Sequence, residues 1–133
     1  MEHEKEIEVR WRDLDSYGHV NHVVFLTYME EARDEWLARS LGDPDKIWDY
    51  VVARVAVDYR RELTLDDDVV VARCRLAGIG NSSIRTFEQV VTRSGEVAAE
   101  AEAVLVARDR ETGRSRPLTG GERAALERVS VDG

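Results

Sequence analysis

The sequence predicts an α+β domain: a five-stranded antiparallel sheet carrying one long helix across a single face, with a short helix at the C-terminus. Three observations lead there. Five stretches alternate apolar and polar residues with period two. One stretch near the N-terminus repeats its apolar positions at helical spacing. The later strand patterns are joined largely by turns of hairpin length, which force antiparallel neighbours. One sheet layer under one helix leaves a face or an edge uncovered, and this favours a homodimer or homotetramer.

Ile7, Val9 and Trp11 alternate with charged residues from Glu6 to Arg12, the pattern of a half-buried first strand. Residues 13–21 break that period. A helix is then expected from His22 to Ser40, with Phe25, Met29, Ala32 and Trp36 as its apolar stripe and Thr27, Glu30, Glu31, Asp34 and Glu35 toward water. Asn21 suits the N-cap, and Gly42 with Pro44 ends the helix. After a loop over residues 43–49, Val51, Ala53, Val55, Val57 and Tyr59 mark the second strand. Val70, Ala72, Cys74 and Leu76 share one face of the third, and Gly78 to Asn81 turns the chain into a fourth strand over Ser83–Thr92. Ser94-Gly95 leads into an alanine-rich fifth strand, whose small side chains would let the helix approach closely. Thr119 caps the terminal helix, with Ala124, Ala125 and Leu126 expected to pack.

At 133 residues the chain is expected to form a single domain over residues 1–133. Its composition, 43% hydrophobic and 35% charged, is that of a soluble globular protein. The charged N-terminus lacks the apolar stretch of a signal peptide, and no apolar run is long enough to span a bilayer, so a cytoplasmic location without membrane partners is expected. A formal net charge of −8 argues against nucleic-acid binding, which wants a basic face. One cysteine, Cys74, excludes an internal disulfide, and its place in an apolar alternation reads as core.

The stretch Asp13-Leu14-Asp15-Ser16-Tyr17-Gly18-His19-Val20-Asn21-His22 carries the chemistry. Two acids, two histidines, an amide and a glycine occupy a junction between a strand and a helix start. Such a junction offers a carboxylate, imidazoles that move protons near neutral pH, and free backbone N–H groups. Gly18 suits a backbone conformation or close approach that a side chain would block. His19 and His22 have no clear third ligand, so no metal is expected.

The order of elements together with the stretch VRWRDLDSYGHVNHVVFLTYMEEARDEWL (residues 9–37) resembles the hotdog-fold acyl-CoA thioesterases of the 4-hydroxybenzoyl-CoA thioesterase type. A weaker match continues through VDYRREL (57–63), DDVVVARCRLAGIGNSSIRTFEQV (67–90) and the final strand. The resemblance implies a hotdog fold, in which the sheet wraps one central helix, and thioester hydrolysis without a cofactor. It implies that Asp15 is the catalytic carboxylate and that the N–H at His22, or a close neighbour, polarises the thioester carbonyl. Some relatives have a functional histidine at the position of His22, others one at His19; this chain has both. Catalytic candidates are therefore Asp15, His22, His19 and Gly18, with Asp13 left to orient the loop.

For substrate contacts the candidates are Asn21, which also suits the helix cap, Tyr17, Phe25, and Ser83, which matches a serine of the family pattern. Arg54, Arg60, Arg61 and the group Arg108, Arg110, Arg114 and Arg116 are candidates for the CoA phosphates, the last group first. Met29, Trp36, Trp48 and Tyr59 suit either an aromatic-walled pocket or plain core. Glu31 reads as a surface charge, although acids on this helix reach the neighbouring subunit's loop in some hotdog enzymes. Asp15 can serve as nucleophile or as general base. A hotdog hydratase or dehydratase and a non-catalytic acyl-CoA or acyl-carrier binding protein are the competing readings.

Overall fold

The computed structural model describes residues 1–132. Its strands are β1 (Glu2–Glu8), β2 (Tyr50–Tyr59), β3 (Val69–Ile79), β4 (Ser83–Thr92) and β5 (Val97–Ala107), and its helices α1 (His22–Leu41) and α2 (Gly120–Asp132). The strands form one antiparallel sheet in the order β1-β3-β4-β5-β2, so β1 and β2 are its edges. This is the expected α+β architecture, a five-stranded sheet around one long helix.

The first strand lies earlier than its alternation suggested. Glu2–Glu8 pairs with Val69–Arg75, and the backbone then leaves the sheet. Residues Trp11–Asp13 form a short 3-10 turn, where Trp11 is 78% exposed rather than on the core face with Ile7 and Val9. The cause is Asp13, which accepts the Arg10 N–H at 3.0 Å and its guanidinium at 3.1 Å, closing the turn.

Asn21 caps α1 by accepting the Val23 N–H at 3.1 Å. Gly42 ends the helix at φ 71°, with its N–H on the carbonyls of Ala38 and Arg39. The predicted stripe of Phe25, Met29, Ala32 and Trp36 is buried, and Tyr28 and Leu37 widen it. The alanines of β5 are buried too, yet α1 runs against β3, β1 and β4. That off-centre course leaves a cavity of about 380 Å³ beside β5 and β2, bordered by the 3-10 segment Pro44–Asp49.

Among the core contacts is one buried ion pair. Arg33 donates from Nε and Nη2 to both carboxylate oxygens of Glu88, at 2.8 and 2.9 Å, and the Thr86 hydroxyl adds a third bond at 2.6 Å. Cys74 is buried, and burial pushes its thiol up, consistent with an inert core residue.

Helix α2 begins with a capping box, in which Glu122 accepts the Thr119 N–H and Thr119 Oγ1 accepts the Glu122 N–H. Of the three residues expected to pack, Ala125 and Leu126 are buried but Ala124 faces solvent, because the helix turns Glu122 inward instead. Burial alone would raise the Glu122 pKa. Hydrogen bonds from Arg116, the Thr119 N–H and the Tyr50 hydroxyl outweigh it and lower the pKa to about 2. A depressed folded-state value means that the stabilisation is fully present above the unfolded value near 4.5 and is lost as pH falls toward 2. Glu122→Gln is therefore expected to remove stability at pH 7 and to flatten the decline between pH 5 and 2, measured by urea unfolding at each pH.

Candidate active site

Residues 13–22 fold into a compact hairpin rather than an open loop. The Asp15 N–H donates to the His19 carbonyl at 2.7 Å, and Leu14 bridges Val20. Asp15 Oδ1 accepts the backbone N–H groups of Tyr17 at 2.9 Å and His19 at 3.2 Å, an Asx-type turn. Gly18 sits at φ 83°, where a side chain is strained. Gly18→Ala is expected to cost about 1–2 kcal/mol of stability in denaturant unfolding.

Two anchors hold this hairpin. On one side Asp13, 3% exposed, accepts the Tyr28 hydroxyl at 2.7 Å as well as Arg10. Burial works against its ionisation, but the bonds from Tyr28 and Arg10 prevail and keep its carboxyl below the ordinary range. On the other side the Val20 N–H donates to the Leu63 carbonyl at 2.7 Å and His19 bridges Thr64. The segment that leaves β2 thereby comes to lie against the hairpin.

Between them opens a cleft of about 380 Å³, walled by Asp15, His19, His22, Phe25 and Tyr59 together with Arg60, Arg61 and Glu62. The His22 N–H, first of α1, has no acceptor among the described residues, and the helix dipole adds to its positive field. Tyr59 packs edge-on against Phe25 and His22, with centroids 5.3 and 6.1 Å apart, and its hydroxyl donates to the His22 carbonyl at 2.8 Å. His19 Nε2 lies 3.1 Å from a Glu62 carboxylate oxygen. Arg61 pairs with Asp67 at 3.0 Å and Glu96 at 2.8 Å, whereas Arg60 reaches Glu100 only at 3.6 Å.

The structure thus gathers Asp15, His19, His22, Phe25 and Arg60 in one place, with Gly18 and Asn21 shaping the loop and the helix start. Tyr17 is 85% exposed and not among the cleft walls. Ser83 stands at the start of β4, beside Gly80. Arg108 borders the second cavity, with Trp48, Tyr50 and Leu37. Arg110 is held by Asp49 and Arg116 by Glu122, so half of the C-terminal arginine group is already paired. Glu31 is exposed, as its helical phase suggested. Glu62 and the Tyr59 hydroxyl escaped the sequence reading, because the pairing that brings residues 59–64 to the hairpin has no local signature. Among the described residues no three His, Cys, Asp or Glu side chains are grouped to hold a metal ion, and no helix is long and apolar enough to cross a membrane.

A cleft walled by a carboxylate residue and by the first residue of a helix suits attack on an activated carbonyl: the first can supply a base or nucleophile, the second an N–H that stabilises an oxyanion. Comparison with known proteins points the same way. Residues 9–126 match the model of the thioesterase-like superfamily. The chain is 32% identical over 132 residues to the long-chain acyl-CoA thioesterase FadM of Escherichia coli, covering 93% of this chain and 96% of that one. It superposes with a TM-score of 0.88 and 39% identity on a thioesterase of Thermus thermophilus solved with coenzyme A and Zn, over 97% of this chain and 94% of that one. A DHNA-CoA thioesterase from Staphylococcus aureus, at 18% identity and a TM-score of 0.84 over 98% and 91% of the two chains, shares the fold.

Proposed function

The chain belongs to the thioesterase-like superfamily, and from that membership we propose that it hydrolyses acyl-CoA or aroyl-CoA thioesters to the free acid and CoA in the cleft at the start of α1. The observation that carries this reading is that one cleft is walled by both Asp15 and His22, whose N–H has no acceptor among the described residues. The thioester carbonyl oxygen accepts from the helix start as negative charge develops on it. Asp15 either takes a proton from water as that water's oxygen bonds to the carbonyl carbon, or attacks that carbon itself. In both routes the C–S bond breaks and CoA leaves as a thiolate that takes a proton from solvent. In the second, water then cleaves the mixed anhydride. The Oδ2 oxygen of Asp15 has no hydrogen-bond partner among the described residues and is the atom available for this work.

Phe25, His22 and Tyr59 wall the acyl side of the cleft, and Arg60, the less tightly paired of its two arginines, suits a CoA phosphate. The functional unit in this reading is a homodimer joined through β2. Of the two edges, β1 carries Glu2, Glu4, Glu6 and Glu8, whereas β2 exposes Val51 and Val52. Antiparallel pairing of two β2 strands about a two-fold axis would bring the Tyr59 end of one copy to the Tyr50 end of the other. The cleft would then adjoin the second copy's cavity beside Trp48.

The test is a panel of acyl- and aroyl-CoAs with free thiol as the readout. The expected result is thiol release matched by free acid. Hydration of an enoyl-CoA without thiol release would identify a hydratase instead. Tight binding with neither reaction would identify a non-catalytic acyl-CoA or acyl-carrier binding protein.

A further inference from the structure

We propose that Tyr59 is a positioning residue that aims the oxyanion-stabilising N–H of His22; the inference rests on the site reading above. Tyr59 is the last residue of β2, and His22 is the first of α1, thirty-seven positions away. Packing places α1 on the sheet, with Phe25 of its first turn buried, and the Asn21 N–H ties the cap to the Asp13 carbonyl at 2.9 Å. Within the first turn the Asn21 side chain and carbonyl accept the Val23 and Val24 N–H groups. None of these bonds involves an atom of His22.

The Tyr59 hydroxyl holds residue 22 directly. Its 2.8 Å bond to the His22 carbonyl ties residue 22 to the sheet edge, and the tyrosine ring abuts the His22 and Phe25 rings edge-on. A carbonyl has two lone pairs, so this bond adds to the helix's own hydrogen bonding and displaces none of it. The N–H and C=O of His22 belong to adjacent peptide planes that hinge at a single Cα. With the carbonyl held, the N–H has little freedom to swing away from the cleft. An oxyanion donor must be in place before charge develops, because reorganisation during the reaction forfeits much of its worth. Only the transition state gains fully from that placement, so loss of the hydroxyl is expected to act on kcat more than on KM.

Tyr59→Phe removes one oxygen and keeps the ring, its packing and the strand. With an acyl-CoA turned over by the full chain, the expected result is a kcat lower by about 10-fold with KM within about 2-fold of the parent. Backbone amide order parameters at residues 22–24, measured on the free protein, should fall together with it, while the unfolding midpoint stays close to the parent's. An unchanged kcat would overturn the proposal, as would a rise in KM alone or a kcat loss with unaltered amide order. Asp15→Asn assayed in parallel separates the two ideas. Full activity in Asp15→Asn would sink the site reading, whereas a dead Asp15→Asn beside a fully active Tyr59→Phe would sink only the role of Tyr59.

Discussion

Asp15→Asn is expected to lower kcat for thioester hydrolysis at least about 100-fold, the scale of losing a positioned base or nucleophile. The substitution is informative because it spares the loop. Oδ1 of Asp15 accepts the N–H groups of Tyr17 and His19, and the amide oxygen of asparagine can accept both. Asp15 is exposed and makes no ion pair among the described residues, so its replacement leaves no buried partner unpaired there. Stability should stay within about 0.5 kcal/mol of the parent, as for other surface substitutions. A large fall in kcat with an unmoved unfolding midpoint therefore reports chemistry. The corresponding change at Asp13 would not separate the two, since that carboxylate holds Tyr28 and Arg10 in the core of the loop.

The largest expected loss of stability lies outside the cleft walls, at Glu88. Glu88→Ala strands the buried Arg33 guanidinium and the Thr86 hydroxyl, and removing one partner of such a pair costs about 3–5 kcal/mol. The double substitution Arg33→Met with Glu88→Leu should recover most of that, because the ion pair itself offsets a large desolvation cost and an apolar pair of similar volume does not incur it. Equilibrium urea unfolding of the two variants measures both. A Glu88→Ala protein as stable as the parent would mean that Arg33 finds another acceptor.

Much of this architecture could be read from local pattern. The bounds of β4, the cap at Asn21, the stop at Gly42 and the stripe on α1 each follow from residues a few positions apart, where propensity and periodicity act. Trp11 shows where that logic ends. Its alternation with Ile7 and Val9 is genuine, but the hydrogen bonds of Asp13 fold the chain into a turn before the third apolar residue reaches the sheet. Ala124 is a similar case, since burial of Glu122 sets the phase of α2, and a buried carboxylate is invisible without Arg116 and Tyr50 around it.

The site divides along the same line. Asp15, His19 and His22 are neighbours in sequence and stay neighbours in space, so the motif alone places them together. The wall opposite comes from residues 59–62, brought in by the bonds of Val20 to Leu63 and of His19 to Thr64. Long-range pairings of that kind leave no trace in a single sequence. The arginines, too, separate only in three dimensions. Arg108, Arg110 and Arg116 cluster in sequence, yet one borders the other cavity and two are tied to Asp49 and Glu122, while Arg60 lines the cleft.

The position of a bound thioester, seen in a crystal structure of the Asp15→Asn protein soaked with an acyl-CoA that the parent hydrolyses, tests the roles of Asp15 and the helix start together. The carbonyl carbon is expected about 3–3.5 Å from the side chain at position 15, with its oxygen accepting the His22 N–H. A thioester group lying instead in the cavity beside Trp48 and Arg108, with the helix start empty, would contradict both roles.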